Sequence, residues 1–184
     1  MDVESQLIDR FKEGDFTAFE ELIYLFDKKI YNYCYRMTNN PNDAEDLAQE
    51  VFIKVYRSLK SFREDSKFST WIYRIAYNTC IDEYRRKKIK VLSLNKNIPS
   101  PEPLPEDRVI YREEKDLIEK CIAEMKPNYK SAIILRDIQG YSYEEIAGIS
   151  NIPIGTVKSN ISRARGILRD VLKSQKIQGN RRAK

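Results

Sequence analysis

The 184 residues set 33 Lys and Arg against 28 Asp and Glu with no histidine, for a net charge of +5 and a pI near 9.0. A surplus this small is compatible with a polyanionic partner but does not establish one, and the length admits one domain or two small ones. Cys34, Cys80 and Cys121 are widely separated, lack CxxC spacing and have no histidine beside them, so no metal or other cofactor is expected and the thiols read as buried groups of a reduced, cytoplasmic protein. Met1 to Arg10 mixes acids, a base and polar residues, unlike a signal peptide, and no segment approaches ~20 uninterrupted apolar residues, so no membrane insertion is expected.

Apolar residues recur at helical spacing almost throughout, while strand alternation and hairpin dipeptides are missing, which predicts an all-α chain. The first helices are expected over Val3 to Glu13, over Thr17 to Met37 with Thr17 and Glu20 as a capping box, over Asp43 to Leu59, and over Ser69 to Lys88 with Ser69 as cap. Ser93 to Arg108 carries Pro99, Pro101, Pro103 and Pro105 at alternate positions, a composition that favours extended backbone and supplies no core. It reads as a flexible linker, the alternative being a long ordered loop inside one domain. A second group of helices follows over Arg112 to Met125, Pro127 to Ile138, Tyr143 to Ile149 and Thr156 to Lys173. Two small helical domains are therefore predicted at 1–92 and 112–178, joined across 93–111, with a frayed basic tail over 179–184.

On the third helix Ala44, Leu47, Ala48, Val51, Phe52, Val55, Tyr56 and Leu59 form one core stripe, leaving Glu45, Asp46, Gln49, Glu50, Lys54 and Arg57 outside, where they suit either solvent or a partner. The polar loop from Leu59 to Trp71 holds Phe62 and Phe68; such a loop can pack down as a cap or hold an unstacked base. The next helix interleaves Tyr73, Tyr77 and Tyr84 with Arg74, Arg85, Arg86, Lys87 and Lys88. That pattern fits a surface for single-stranded nucleic acid and equally an amphipathic core helix with a basic end.

The segment Tyr141 to Arg165 reads as a helix-turn-helix. Ser142 and Glu145 make a capping box, Asn151 to Gly155 breaks the helix, Pro153 and Gly155 allow a sharp turn, and Thr156 is expected to cap the second helix. Val157, Ile161, Ala164 and Leu168 fall on one stripe, placing Lys158, Ser159, Asn160, Ser162, Arg163 and Arg165 on exposed faces. From Thr156 onward the bases Lys158, Arg163, Arg165, Arg169, Lys173, Lys176, Arg181, Arg182 and Lys184 oppose Asp170 as the only acid, so positive charge is concentrated beside the recognition helix.

Taken together and in order, Asp43 to Phe52, Phe68 to Thr79 and Tyr141 to Arg165 closely resemble the extracytoplasmic-function (ECF) class of bacterial sigma factors. The resemblance implies a two-domain, non-catalytic subunit that directs core RNA polymerase to promoters, with a region 2-like domain at the N-terminus and a region 4-like domain at the C-terminus. It implies that Asp46, Gln49 and Glu50 dock on polymerase, and that Phe62, Arg63, Asp65, Ser66, Arg74 and Asn78 hold the melted minus-ten strand. It further implies that Thr156, Lys158, Ser159, Asn160, Ser162, Arg163 and Arg165 contact the minus-thirty-five duplex, and that an anti-sigma factor occludes the chain. Asn160 and Ser162 depart from the family pattern, where bases or larger side chains are common. The rival classes are a stand-alone helix-turn-helix regulator and a DNA-processing enzyme; the latter is disfavoured by the lack of histidine, clustered cysteine and a phosphate-cradling glycine loop.

Overall fold

A computed structural model describes residues 3–63, 65–94 and 111–182. Among them the chain is all-helical, and the expected linker falls largely outside them. Helix α1 (Val3–Lys12) buries Leu7, Ile8 and Phe11, the i, i+1, i+4 face of a short amphipathic helix, and turns at Gly14, whose φ of 104° lies in a region that L side chains avoid. Helix α2 (Phe16–Thr38) is capped by Asp15 rather than by Thr17. The Asp15 Oδ1 accepts the Thr17 backbone N–H at 3.0 Å and the Thr17 hydroxyl at 2.6 Å, while Arg10 bridges Asp15 at 2.7 Å and Glu21 at 3.1 Å. The hydrogen bonds from Thr17, then those from Arg10, hold the Asp15 carboxyl down at about 2.

The join between α2 and α3 (Pro41–Ser58) is short and fully specified. Asn39 takes a left-handed conformation and returns its N–H to Tyr35, then the Asn40 Oδ1 accepts from the Asn42 and Asp43 N–H groups at 2.9 and 3.1 Å, with Pro41 opening the helix. Helix α3 buries Ala44, Leu47, Ala48, Val51 and Val55 as expected, but Tyr56 is 45% exposed, its ring packing edge-on to Phe19 at 5.0 Å and Phe11 at 5.6 Å. A 3-10 turn at Leu59–Ser61 leads through the loop to α4 (Phe68–Leu94), which starts at Phe68, so Ser69 lies inside the first turn.

The second group comprises α5 (Tyr111–Glu124), α6 (Pro127–Ile133), a π-helical turn over Ile134–Ile138, α7 (Tyr143–Ser150) and α8 (Ile154–Arg182). Helix α8 therefore continues through most of the stretch expected to fray. Its own core joins Ile122, Ile133, Ile134, Leu135, Ile146, Ile149, Val157, Ile161 and Ala164. The two groups of helices are packed together: α7 lies against α4, and α2 touches α5 and α6. All three cysteines are buried, with the Cys80 thiol 3.9 Å from Cys34 and pushed well up by that contact and by burial.

Because Asp15 is depressed below its ordinary 3.8, the cap it supplies contributes stability that is complete above about pH 4 and is lost as pH falls through about 2. A carboxyl-detected NMR titration should place the Asp15 midpoint near 2, and Thr17→Val should raise it; a wild-type midpoint at the ordinary value would remove Asp15 as the cap.

Candidate nucleic-acid interface

The helix-turn-helix is set by local chemistry. Glu145 N–H donates to the Ser142 hydroxyl at 3.1 Å and Ser142 N–H donates back to the Glu145 carboxylate at 2.9 Å, closing the expected capping box. The Ser142 amide, with Lys67 beyond it, holds the Glu145 carboxyl below the usual range. At the other end Asn151, φ 53°, is the left-handed cap and returns its N–H to Ala147. One expectation is corrected here. The left-handed residue of the turn is Asn151, and α8 already begins at Ile154, with the Thr156 N–H on the Pro153 carbonyl at 2.9 Å, so Thr156 sits in the first turn and is not the cap.

Helix α8 exposes Thr156, Lys158, Ser162, Arg163 and Arg165, with Ser159 half-buried. Asn160 is a correction: it is 6% exposed and faces a small cavity shared with Tyr77, Asn128 and Ser131, because α6 and α4 cover that side of the helix. The exposed bases are oriented by neighbours. Arg163 donates to the Tyr129 hydroxyl at 3.1 Å, Arg165 makes a two-bond pair with Asp137 at 3.0 and 2.6 Å, and Lys158 lies 5.9 Å from the centre of the Tyr143 ring. The bonds to Asp137 raise the Arg165 pKa further, so its charge is permanent.

On the N-terminal side, Phe62 is also a correction. It is 7% exposed, wedged against Phe68 and Trp71, with Phe68 packed on Phe26, and so acts as a hydrophobic anchor for the loop. Arg63, Asp65 and Asn78 are exposed and Ser66 is half-buried. Arg74 is engaged, its Nε donating to the Gly148 carbonyl at 2.9 Å. Tyr73 and Tyr77 are buried, at 1% and 8% exposure, rather than forming an open stacking surface. The basic end of α4 is partly neutralised as well, since Lys87 pairs with Asp43 and Arg86 with Glu83, each at 2.6 Å.

Asp46, Gln49 and Glu50 share the exposed face of α3, where Glu50 pairs with Lys54 at 2.7 Å. Ile53, one turn further on, is 50% exposed on that face. Sequence reasoning passed over it, although its position off the core stripe was a readable signal. An apolar centre among polar groups is the usual composition of a protein-docking patch. Among the described residues no cluster of His, Cys, Asp and Glu could hold a metal ion, and no helix is long and apolar enough to cross a membrane.

Ser142→Ala should weaken the fold by about 1 kcal/mol, the usual cost of losing such a cap, seen as a lower denaturant midpoint at unchanged slope. A stability within ~0.3 kcal/mol of wild type would show that the capping box does not hold α7.

Residues 23–89 match Sigma-70 region 2 and residues 115–168 match Sigma-70, region 4. Over 177 residues the chain is 40% identical to ECF RNA polymerase sigma factor SigW of Bacillus subtilis (strain 168), covering 90% of this chain and 95% of that one. It is 36% identical to the ECF RNA polymerase sigma-E factor of Escherichia coli (strain K12), covering 86% and 88%. Its fold superposes on the sigma factor RpoE, solved in complex with the anti-sigma factor NepR from Bartonella quintana, with a TM-score of 0.70 at 27% identity over 84% of this chain and 96% of that one. The helix-turn-helix, the polar face of α3 and full-length likeness agree: this chain belongs to the ECF class of RNA polymerase sigma factors.

Proposed function

We propose that the chain is a non-catalytic, cytoplasmic subunit that docks on core RNA polymerase through α3 and reads a promoter with two separate surfaces. Asp46, Gln49 and Glu50, centred on Ile53, supply the polymerase contact. Thr156, Lys158, Ser159, Ser162, Arg163 and Arg165 face the minus-thirty-five duplex, and Arg63, Asp65, Ser66, Arg74 and Asn78 hold the melted minus-ten strand. The observation that carries this reading is the exposed face of α8, where Lys158, Arg163 and Arg165 stand clear of the core on the second helix of a capped helix-turn-helix.

The chemistry divides the roles. Lysine and arginine at the edge of a recognition helix bind phosphate and fix register, whereas an Arg fork or a hydroxyl can reach base edges. Extruding a base costs a few kcal/mol, which phosphate contacts and stacking of ~1 to 3 kcal/mol per base offset. Two modest surfaces joined on one chain gain avidity from effective concentration, provided both can reach their sites at once. An anti-sigma factor that covers these surfaces is the expected regulator, as the RpoE likeness suggests.

In transcription assays with purified core polymerase and a genomic promoter library, the chain should direct initiation at a defined promoter set; initiation that does not depend on the added chain would overturn the reading. Asp46→Ala should reduce affinity for core polymerase about tenfold, a value typical of a contact worth ~1.4 kcal/mol, and leave duplex binding unchanged. Lys158→Ala should do the reverse, weakening duplex binding across all sequences and lowering the salt slope by about one. Exchanged phenotypes would contradict the division of labour.

A further inference from the structure

Two of the three thiols meet inside the N-terminal group of helices. Cys34 on α2 and Cys80 on α4 are 46 residues apart in sequence, and the Cys80 thiol lies against the Cys34 Sγ at 3.9 Å. Cys34 is fully buried and Cys80 is 4% exposed; Cys121, on α5, touches neither. Packing alone asks only for a small apolar residue at each place, and what cysteine adds is reactivity. A cavity of about 350 Å³ opens beside Cys80, walled by Met37 and Thr38 of α2, Glu83 and Lys87 of α4, and Met125. Cys34 is not among its walls, so a small solute meets Cys80 first.

The surroundings of Cys80 connect it to the exposed face of α3. Its neighbour Thr79 is buried and accepts Lys54 Nζ at 3.0 Å, and Lys54 pairs with Glu50 at 2.7 Å. A disulfide holds its sulfurs at about 2.0 Å, so joining the pair draws them together from 3.9 Å. A close-packed interior transmits such a movement rather than absorbing it. Thr79 moves with Cys80, and the Lys54 and Glu50 side chains must readjust.

We propose that Cys34 and Cys80 form an oxidation site for small neutral hydroperoxides, which join the two thiols in a disulfide that staples α2 to α4 and weakens docking on core polymerase. In the first step the Cys80 sulfur, as thiolate, attacks the outer peroxide oxygen. The O–O bond breaks, Cys80 becomes a sulfenic acid, and the thiol proton leaves with the alcohol or, from hydrogen peroxide, with water. The Cys34 sulfur then attacks the Cys80 sulfur; the S–S bond forms, the S–O bond breaks, and the hydroxyl departs as water with the Cys34 proton. Two thiols lose two electrons and one hydroperoxide gains them. At rest, contact with Cys34 and then burial push the Cys80 thiol well up, which keeps it protonated and makes the site answer to sustained peroxide rather than to brief exposure. The loss of docking rests on the polymerase reading above, whereas the disulfide belongs to the free chain.

The test exposes the reduced full chain to hydrogen peroxide, then denatures, alkylates and digests it for mass spectrometry. The peptides carrying Cys34 and Cys80 should appear joined and lighter by two hydrogens, with Cys121 alkylated. Because the cross-link restrains the unfolded chain, the thermal midpoint should rise by roughly 4 °C or more and return with dithiothreitol. Affinity of the oxidised chain for core polymerase should fall about fivefold, a difference of ~1 kcal/mol, and recover on reduction. Cys34→Ala should hold its affinity within about twofold after the same treatment and accumulate a Cys80 sulfenic acid that dimedone traps. Cys80→Ala should give neither the cross-link nor a sulfenic acid at Cys34, and circular dichroism verifies that each variant is folded. Peroxide that leaves Cys34 and Cys80 free in the wild-type chain would overturn the proposal, as would a mapped cross-link with unchanged polymerase affinity. A reduced chain that does not bind core polymerase would instead defeat the sigma reading, because the cross-link is mapped without polymerase.

Discussion

Helix ends govern this structure. Described residues that fold only into helices and their turns must satisfy the terminal carbonyls and amides of each helix, and here the solutions fix both the local turns and the long-range packing. Amino ends are served locally, by Asp15, Asn40 and Ser142. Carboxyl ends are served in part by the left-handed asparagines Asn39 and Asn151, and in part by cations from distant sequence, Arg74 and Lys130. The first kind of solution makes a helix stop; the second makes one helix need another. The Lys130 amine is mostly buried, and burial lowers its pKa, so its bonds to the Met37 and Ala123 carbonyls compensate for lost hydration as well as capping.

What could be read in advance follows the same division. The Ser142 and Glu145 box was legible because both partners lie within four residues, and the α3 stripe because a period of 3.6 suffices to find it. Thr17 was a poorer reading than Asp15 because the cap is decided by which residue adopts extended backbone just before the first turn, and Arg10, one helix earlier, favours Asp15. Phe62 and Asn160 were misplaced for a different reason, and the burial of Tyr73 and Tyr77 decides between two readings of α4 that its sequence left open. Phe62 is covered by Phe68 and Trp71 within its own loop and the next helix, whereas Tyr73 is covered by Tyr141 and Asn160 faces Tyr77, Asn128 and Ser131, tertiary contacts that no local pattern encodes. The exposed residues of α3 and α8 were placed well because exposure opposite a strong stripe is a property of the helix itself.

Counting charges overstates how much of the basic surface is free. Of the bases near the recognition helix, Arg165 is held by Asp137 and Arg163 by the Tyr129 hydroxyl, and on α4 Lys87 and Arg86 are paired with acids. Exposed pairs of this kind contribute ~0 to 1 kcal/mol, little enough for a phosphate to displace the acid. Their effect is orientation. A guanidinium held in one direction by Asp137 loses less conformational freedom on meeting DNA than one free in solvent, which favours defined geometry over bulk attraction.

The α4 face combines cationic and aromatic groups that suit more than one kind of neighbour. The α4 face carries Arg74, which suits a helix carboxyl end and a nucleic-acid phosphate for the same reason: both present oxygen with partial or full negative charge. Tyr73 and Tyr77 are likewise equally at home under α7 or against unstacked bases, because an aromatic face accepts either kind of flat apolar surface. The Tyr73 hydroxyl is buried in that contact without a hydrogen-bond partner. A phenylalanine at that position would keep the edge-on contact with Tyr141 and remove the buried polar atom, so Tyr73→Phe would improve the packing of α4 against α7.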